Sequence, residues 1–291
     1  MKALKTTVIV IMFTVTAIVI ALVIGRRFNG FKSGWFDLMG LNNEFDVVEG
    51  NLESFKDIEV NSDVVSFKIE QGNDFGYMYK FPENTKVDFE IDDEKLKVTV
   101  KSPVNILGDA GIGFPKDGYR MVIYVPEGTK LGDLETNFDA GDMRVSGFTF
   151  EKINIDGDAG NVIFNDIISE KLSIKTDACN VEIADSKVGD TNISSDAGNI
   201  ELTNVTAKDI NADTDMGNIE LKNTDFEDGE FTSELGNIEV FGNFEKITAK
   251  CSLGNVEIDS DNLENAKINA KVSMGALRIG GKNIKGTEYN Q

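Results

Sequence analysis

Starting from Gly198, apolar or small residues fall at Ile200, Leu202, Val205, Ala207, Ile210, Ala212 and Thr214, with mostly polar residues between them. This is period-two alternation in three short runs, which predicts strands with one face buried. The preceding stretch places Val181, Ile183, Val188 and Ile193 at the same offsets. Earlier stretches supply Val162, Phe164, Ile167, Leu172 and Ile174, and then Met143, Val145, Phe148, Phe150, Ile153 and Ile155. An amphipathic helix would need apolar spacings of three and four, which are absent.

One phrase marks the period. It reads DAGDM from Asp139, DAGNV from Asp158, DACNV from Asp177, DAGNI from Asp196, DMGNI from Asp215, ELGNI from Glu234, SLGNV from Ser252 and SMGAL from Ser273. The first six copies are nineteen residues apart, and the last two intervals are eighteen and twenty-one. A short fixed period is the mark of a solenoid, because no single coil can bury its apolar face alone. The expected fold class is all-β, a parallel β-solenoid (β-helix) with ~19-residue coils, preceded by one N-terminal transmembrane helix. Each strand would pair with its counterpart one coil away, about 4.8 Å distant.

The phrase is a corner. Glycine accepts a positive φ there, and the preceding Asp can bond back to the turn backbone. Asn161, Asn180, Asn199, Asn218, Asn237 and Asn255 form a column whose amides offer a donor and an acceptor to the coils on either side.

Before the regular coils, alternation persists with looser spacing. Candidate strands are Ile58 to Val60, Val64 to Ile69, Tyr77 to Phe81, Lys86 to Ile91, Lys95 to Val100 and Tyr119 to Val125, separated by turn-competent sequences such as Gly72-Asn73 and Asp92-Asp93-Glu94. They are expected to form a β cap or irregular coils continuous with the solenoid, since an uncapped end would expose strand edges. The division that follows is 1–27 membrane anchor, 28–44 juxtamembrane linker, 45–135 irregular β region, 136–281 regular coils and 282–291 polar tail.

The anchor rests on Thr6 to Ile24, a run without charge or proline. At about 1.5 Å per helical residue it spans nearly 30 Å, the thickness of a hydrocarbon core. Arg26 and Arg27 follow without a small-x-small cleavage pattern, so the run reads as uncleaved. Lys2 and Lys5 on one side compete with Arg26, Arg27 and Lys32 on the other, so charge alone leaves the orientation open. Phe28, Phe31, Trp35, Phe36, Leu38 and Met39 follow at once, placed either to sit at headgroup depth or to form a linker that packs on the first strands.

Charge and composition then exclude several functions. With 50 acidic against 29 basic residues the net charge is −21, which repels nucleic acid and anionic lipid. There is no histidine, which removes Ser-His-Asp and Cys-His catalysis and imidazole-based zinc sites. The two cysteines, Cys179 at a corner and Cys251 at an inward position, lie several coils apart and are expected to be free thiols packed in the wall. No cofactor is implied.

One pattern is not explained by folding. Three residues past the corner glycine stand Glu182, Glu201, Glu220, Glu239 and Glu257, in five consecutive coils. Neighbouring carboxylates 4.8 Å apart repel by about 0.9 kcal/mol even in water. The row can be a solvated face that keeps strands soluble. Alternatively it attracts cations, either a divalent metal held by carboxylate oxygens or a basic peptide. A polysaccharide-active enzyme would need two carboxylates set apart from the rest, and this even row singles out none. End-to-end stacking into filaments is opposed by the anchor and the irregular leading region.

The strand set ending in MVIYVPEGTKLGDLETNFDAGD (Met121 to Asp142), followed by tandem DAGNIEL-type copies, resembles the bacterial putative-adhesin family of domains of unknown function. The likeness runs from about Phe45 to Gly281. It implies a β-solenoid, membrane-anchored or surface-exposed in a bacterial envelope, with some relatives connected with envelope-stress responses. It transfers no catalytic motif. The expected role is therefore non-catalytic adhesion, scaffolding or sensing, by a single-pass protein whose solenoid is extracytoplasmic. Oligomeric state and partner stay open.

Overall fold

The computed structural model describes residues 45–82, 85–101 and 119–291. The proposed span 6–24 and the aromatic segment after it lie outside the described residues. Among the described residues there is no helix long and apolar enough to cross a membrane. All regular structure there is β.

The regular wall begins with three long strands, β8 (Lys130–Ser146), β9 (Thr149–Asn165) and β10 (Ile168–Ala184), each making one coil. Later coils break at the corner into a longer and a shorter strand. These are β11 (Lys187–Ala197) with β12 (Ile200–Thr203), β13 (Thr206–Met216) with β14 (Ile219–Lys222), β15 (Phe226–Leu235) with β16 (Ile238–Phe241) and β17 (Phe244–Leu253) with β18 (Val256–Asp259). The wall ends in β19 (Lys267–Met274) and β20 (Leu277–Ile279). Every coil pairs in parallel with the next in the register expected from the repeat. Ile200 lies opposite Ile219, Ile219 opposite Ile238, Ile238 opposite Val256 and Val256 opposite Leu277. All five are buried. Stacking thus gives one dry interior, where each such aliphatic side chain contributes about 1.5–3 kcal/mol.

Three inward runs per coil survive as three walls. Ile200 and Leu202, Val205 and Ala207, and Ile210, Ala212 and Thr214 are buried, and the breaks in alternation between them are the bends. One bend was not anticipated from the sequence. Asp166, Asp185, Asn204 and Asn223, nineteen residues apart, have φ between 49° and 55°. Asp and Asn tolerate this left-handed region better than other side-chain-bearing residues. Volume is balanced between coils as well. Ile210 and Ala212 stand opposite Gly229 and Phe231, which stand opposite Ile247 and Ala249. A Cβ on Gly229 would lie 2.5 Å from the Phe226 ring, so the glycine makes room for the aromatics.

The first coils do not stack in chain order. Strand β2 (Asp57–Val64) pairs in parallel with both β8 and β6 (Lys95–Lys101), while β3 (Ser66–Gly72) pairs in parallel with β8 and β7 (Arg120–Pro126). The coil made by β2 and β3 therefore lies between β8 and the coil made by β6 and β7. Lys95 bridges Glu59 at 3.0 Å and Glu135 at 2.9 Å across these layers. Beyond them β5 (Lys86–Asp92) runs antiparallel to β6, and β4 (Gly76–Pro82) antiparallel to β7. Strand β1 (Phe45–Asn51) pairs with β4.

The other end closes similarly. Residues 282–291, expected as a polar tail, form β21 (Lys282–Asn283) antiparallel to β20 and β22 (Glu288–Asn290) antiparallel to β19. Gly280 and Gly281, with φ of 57° and 69°, make the two-residue turn that reverses the chain. Reversed strands at both ends stop the parallel register from propagating and cover the edges that a bare coil would present.

Candidate functional site

The corner phrase builds the outer surface, and its parts do different work from those expected. The side chains of Asp158, Asp177, Asp196 and Asp215 accept no hydrogen bond from the described residues, so the aspartates do not close the turn. The asparagines do. The Oδ1 of Asn180, Asn199, Asn218 and Asn237 accepts the backbone N–H of Asn199, Asn218, Asn237 and Asn255, at 2.8–3.1 Å. Asn255 Oδ1 accepts from the Ala276 backbone N–H at 2.9 Å, and there the ladder ends, because Ala276 has no side-chain amide to pass it on. The corner aspartates repel one another. Asp158 is held above the usual carboxylate range by lost hydration and then by the charges of Asp177, Asp139 and Asp156.

Glycine is required at these corners mainly because successive coils approach closely. A Cβ on Gly217 would lie 1.9 Å from the Gly198 carbonyl oxygen. Those carbonyls are met from inside by a row of hydroxyls: Ser195 donates to Cys179 O at 3.3 Å, Thr214 to Gly198 O at 3.3 Å and Ser233 to Gly217 O at 3.0 Å. Cys251 continues the row, its Sγ 3.1 Å from Gly236 O. Cys179 departs from the pattern by turning its side chain inward, where it is fully buried. Burial, with Asp158, Asp177 and Asp142 nearby, pushes its thiol up to about 12. Both thiols are free.

On the face beyond the asparagines the five glutamates stand in register. Glu182 pairs with Glu201, Glu201 with Glu220, Glu220 with Glu239 and Glu239 with Glu257. The row is bounded by Arg278 opposite Glu257 and by Ile163 opposite Glu182. Its repulsion is partly offset from within. Lys222 Nζ lies 3.2 Å from Glu201 and 2.9 Å from Glu220, and Arg278 lies 3.1 Å from Glu257. The hydrogen bonds that Lys222 donates to Glu220 and Glu201 in turn raise its ammonium above its ordinary range. Glu182 and Glu239 have no cation of the described residues within ion-pair distance. Among the described residues no three acidic side chains converge as a metal ion would require. The arrangement is a line of carboxylates with gaps in its neutralisation.

A second row on the same corner escaped the sequence reading. The residue before the corner glycine is Ala140, Ala159, Ala178 and Ala197 in the early coils, then Met216, Leu235, Leu253 and Met274. The last four are 45%, 46%, 40% and 65% exposed. The change from Ala to large apolar residues within an otherwise constant phrase was the available signal.

Several solved structures align with most of this chain. A putative adhesin from Bacteroides fragilis aligns with 81% of this chain and 96% of its own, at 14% identity and a TM-score of 0.45. A putative lipid binding protein from Parabacteroides distasonis aligns with 83% of this chain and 96% of its own, at 16% identity and a TM-score of 0.46. A putative adhesin from the same organism covers 82% and 97%, at 13% identity and a TM-score of 0.40. No curated protein matches the chain. The model of the Toastrack DUF4097 family matches residues 55–275, taking in both the strand set and the corner phrases that carry the resemblance, and the chain belongs to that family.

Proposed function

We propose that the protein is a non-catalytic contact module of the bacterial cell envelope, anchored through residues 6–24, whose extracytoplasmic solenoid binds a basic peptide segment of a partner through the glutamate row. The supporting observation is the register of Glu182, Glu201, Glu220, Glu239 and Glu257, only partly neutralised by Lys222 and Arg278. Like charges held one above another disfavour the sheet by themselves, and a cation laid along the row removes that cost. A linear array of equivalent carboxylates suits an extended polycation better than chemistry at one bond, which needs two acids with separate roles.

Calorimetric titration with a lysine-rich peptide and, separately, with calcium tests the reading. Peptide heat that falls with salt and is reduced by Glu201→Gln with Glu220→Gln is the expected result. No heat at moderate salt, or heat unchanged in the double variant, refutes it. Protease access to intact cells checks the topology, and digestion of the solenoid from outside is expected.

A further inference from the structure

We infer that Met216, Leu235, Leu253 and Met274 form a docking ridge for the apolar face of a basic amphipathic helix lying along the solenoid axis. The inference deepens the reading above by specifying the form of the basic partner.

The four residues are successive members of one column, Met216 opposite Leu235, Leu235 opposite Leu253 and Leu253 opposite Met274. At about 4.8 Å per coil the ridge is roughly 14 Å long. It is followed along each coil by a glycine, so nothing bulky stands beside it on that side. Single exposed apolar residues are ordinary, but four in an unbroken line on one corner are not what solvent favours.

The surroundings specify the occupant. One flank carries Asp215 and Glu234, and the other carries Glu239 beyond the asparagines. None of the three has an ion partner among the described residues. A second copy would bring the same carboxylates face to face in a chain of net charge −21, so self-association is opposed. A basic partner is favoured on both flanks. Apolar residues at i, i+4 and i+7 of a helix repeat about every 5.4 Å along its axis, close to the coil spacing. Side chains on one face of an extended strand repeat at about 6.6 Å and drift out of step within two coils.

The test uses the full chain in zwitterionic nanodiscs and a labelled helical peptide of about 18 residues, with leucines on one face and lysines on both flanks. A scrambled peptide of equal composition is the control. The amphipathic peptide is expected to bind at least about tenfold more tightly than the scrambled one, and Leu235→Ser with Leu253→Ser to abolish that difference. Ala197→Leu, which lengthens the ridge by one coil, is expected to strengthen binding about threefold. All three positions are on the surface, and unchanged circular dichroism verifies folding. Equal binding of both peptides, or wild-type affinity in the serine variant, overturns the ridge. In either case, weakening by Glu201→Gln with Glu220→Gln leaves the glutamate-row reading standing, and no weakening removes both. Ridge-dependent binding to zwitterionic vesicles without peptide binding, or ridge-dependent self-association in sedimentation, also overturns it, assigning the surface to lipid or to a second copy.

Discussion

Replacing Gly217 by alanine puts the coil-stacking geometry to a direct test. The added Cβ would lie 1.9 Å from Gly198 O and 2.7 Å from its carbonyl carbon, where real Cβ contacts essentially never fall below 3.0 Å, so the two coils must part by more than about 1 Å at this corner. The backbone bonds that hold them there are Gly198 N–H to Met216 O at 3.1 Å and Ile200 N–H to Asn218 O at 2.9 Å. The Thr214 hydroxyl adds one to Gly198 O at 3.3 Å. An opening of that size carries two or three of these past hydrogen-bonding range. At about 1 kcal/mol each the loss is about 2–4 kcal/mol. Gly281→Ala is the control, because nothing lies within 4 Å of its added Cβ and only its φ of 69° is strained, costing about 1–2 kcal/mol. Urea unfolding followed by circular dichroism measures both, with amide exchange at Ile200 and Ile219 separating local opening from global loss. If Gly217→Ala costs no more than Gly281→Ala, close coil approach is not why the corner is glycine.

Other outcomes follow from the same geometry. Among the described residues the buried Thr176 hydroxyl has no hydrogen-bond partner, so Thr176→Val is expected to be neutral or stabilising by up to about 1 kcal/mol, whereas Thr214→Val should cost about 1 kcal/mol in the same denaturation assay. Asn218→Ala removes the acceptor of Asn237 N–H at an exposed corner, where water can substitute, and is expected to cost about 0.5–1.5 kcal/mol. Cys179 and Cys251 are buried and their thiols are raised, so neither should react with a maleimide until the chain unfolds. An unfolded thiol releases its proton near 9, while folded Cys179 keeps it to about 12, so stability should fall as pH rises between those values. The denaturation midpoint should drop less steeply above about pH 9 in Cys179→Ala.

The glutamate row and the asparagine column were legible because a nineteen-residue repeat with parallel pairing places equivalent residues directly over one another. Glu201 faces Glu220 for the same reason that Ile200 faces Ile219. The role of the corner aspartate was misjudged. Asp commonly bonds back to a turn, yet the Asn amide is offered the N–H of the next coil, and that donor belongs to a residue nineteen positions away. The apolar ridge was overlooked because a column of exposed side chains satisfies the same alternation as any other.

Local chemistry therefore settled the inward and outward assignment of each residue, the length of a coil and the position of its corners, because alternation and period are properties of neighbouring residues. Tertiary structure decided the order of the first coils, with β2 and β3 placed between β8 and the later strands β6 and β7. It also decided the reversed strands that close both ends, and the reach of Lys222 and Arg278 onto the glutamates. Those outcomes depend on which non-repeating strand meets which edge, a choice made by packing between distant segments that no short-range pattern encodes.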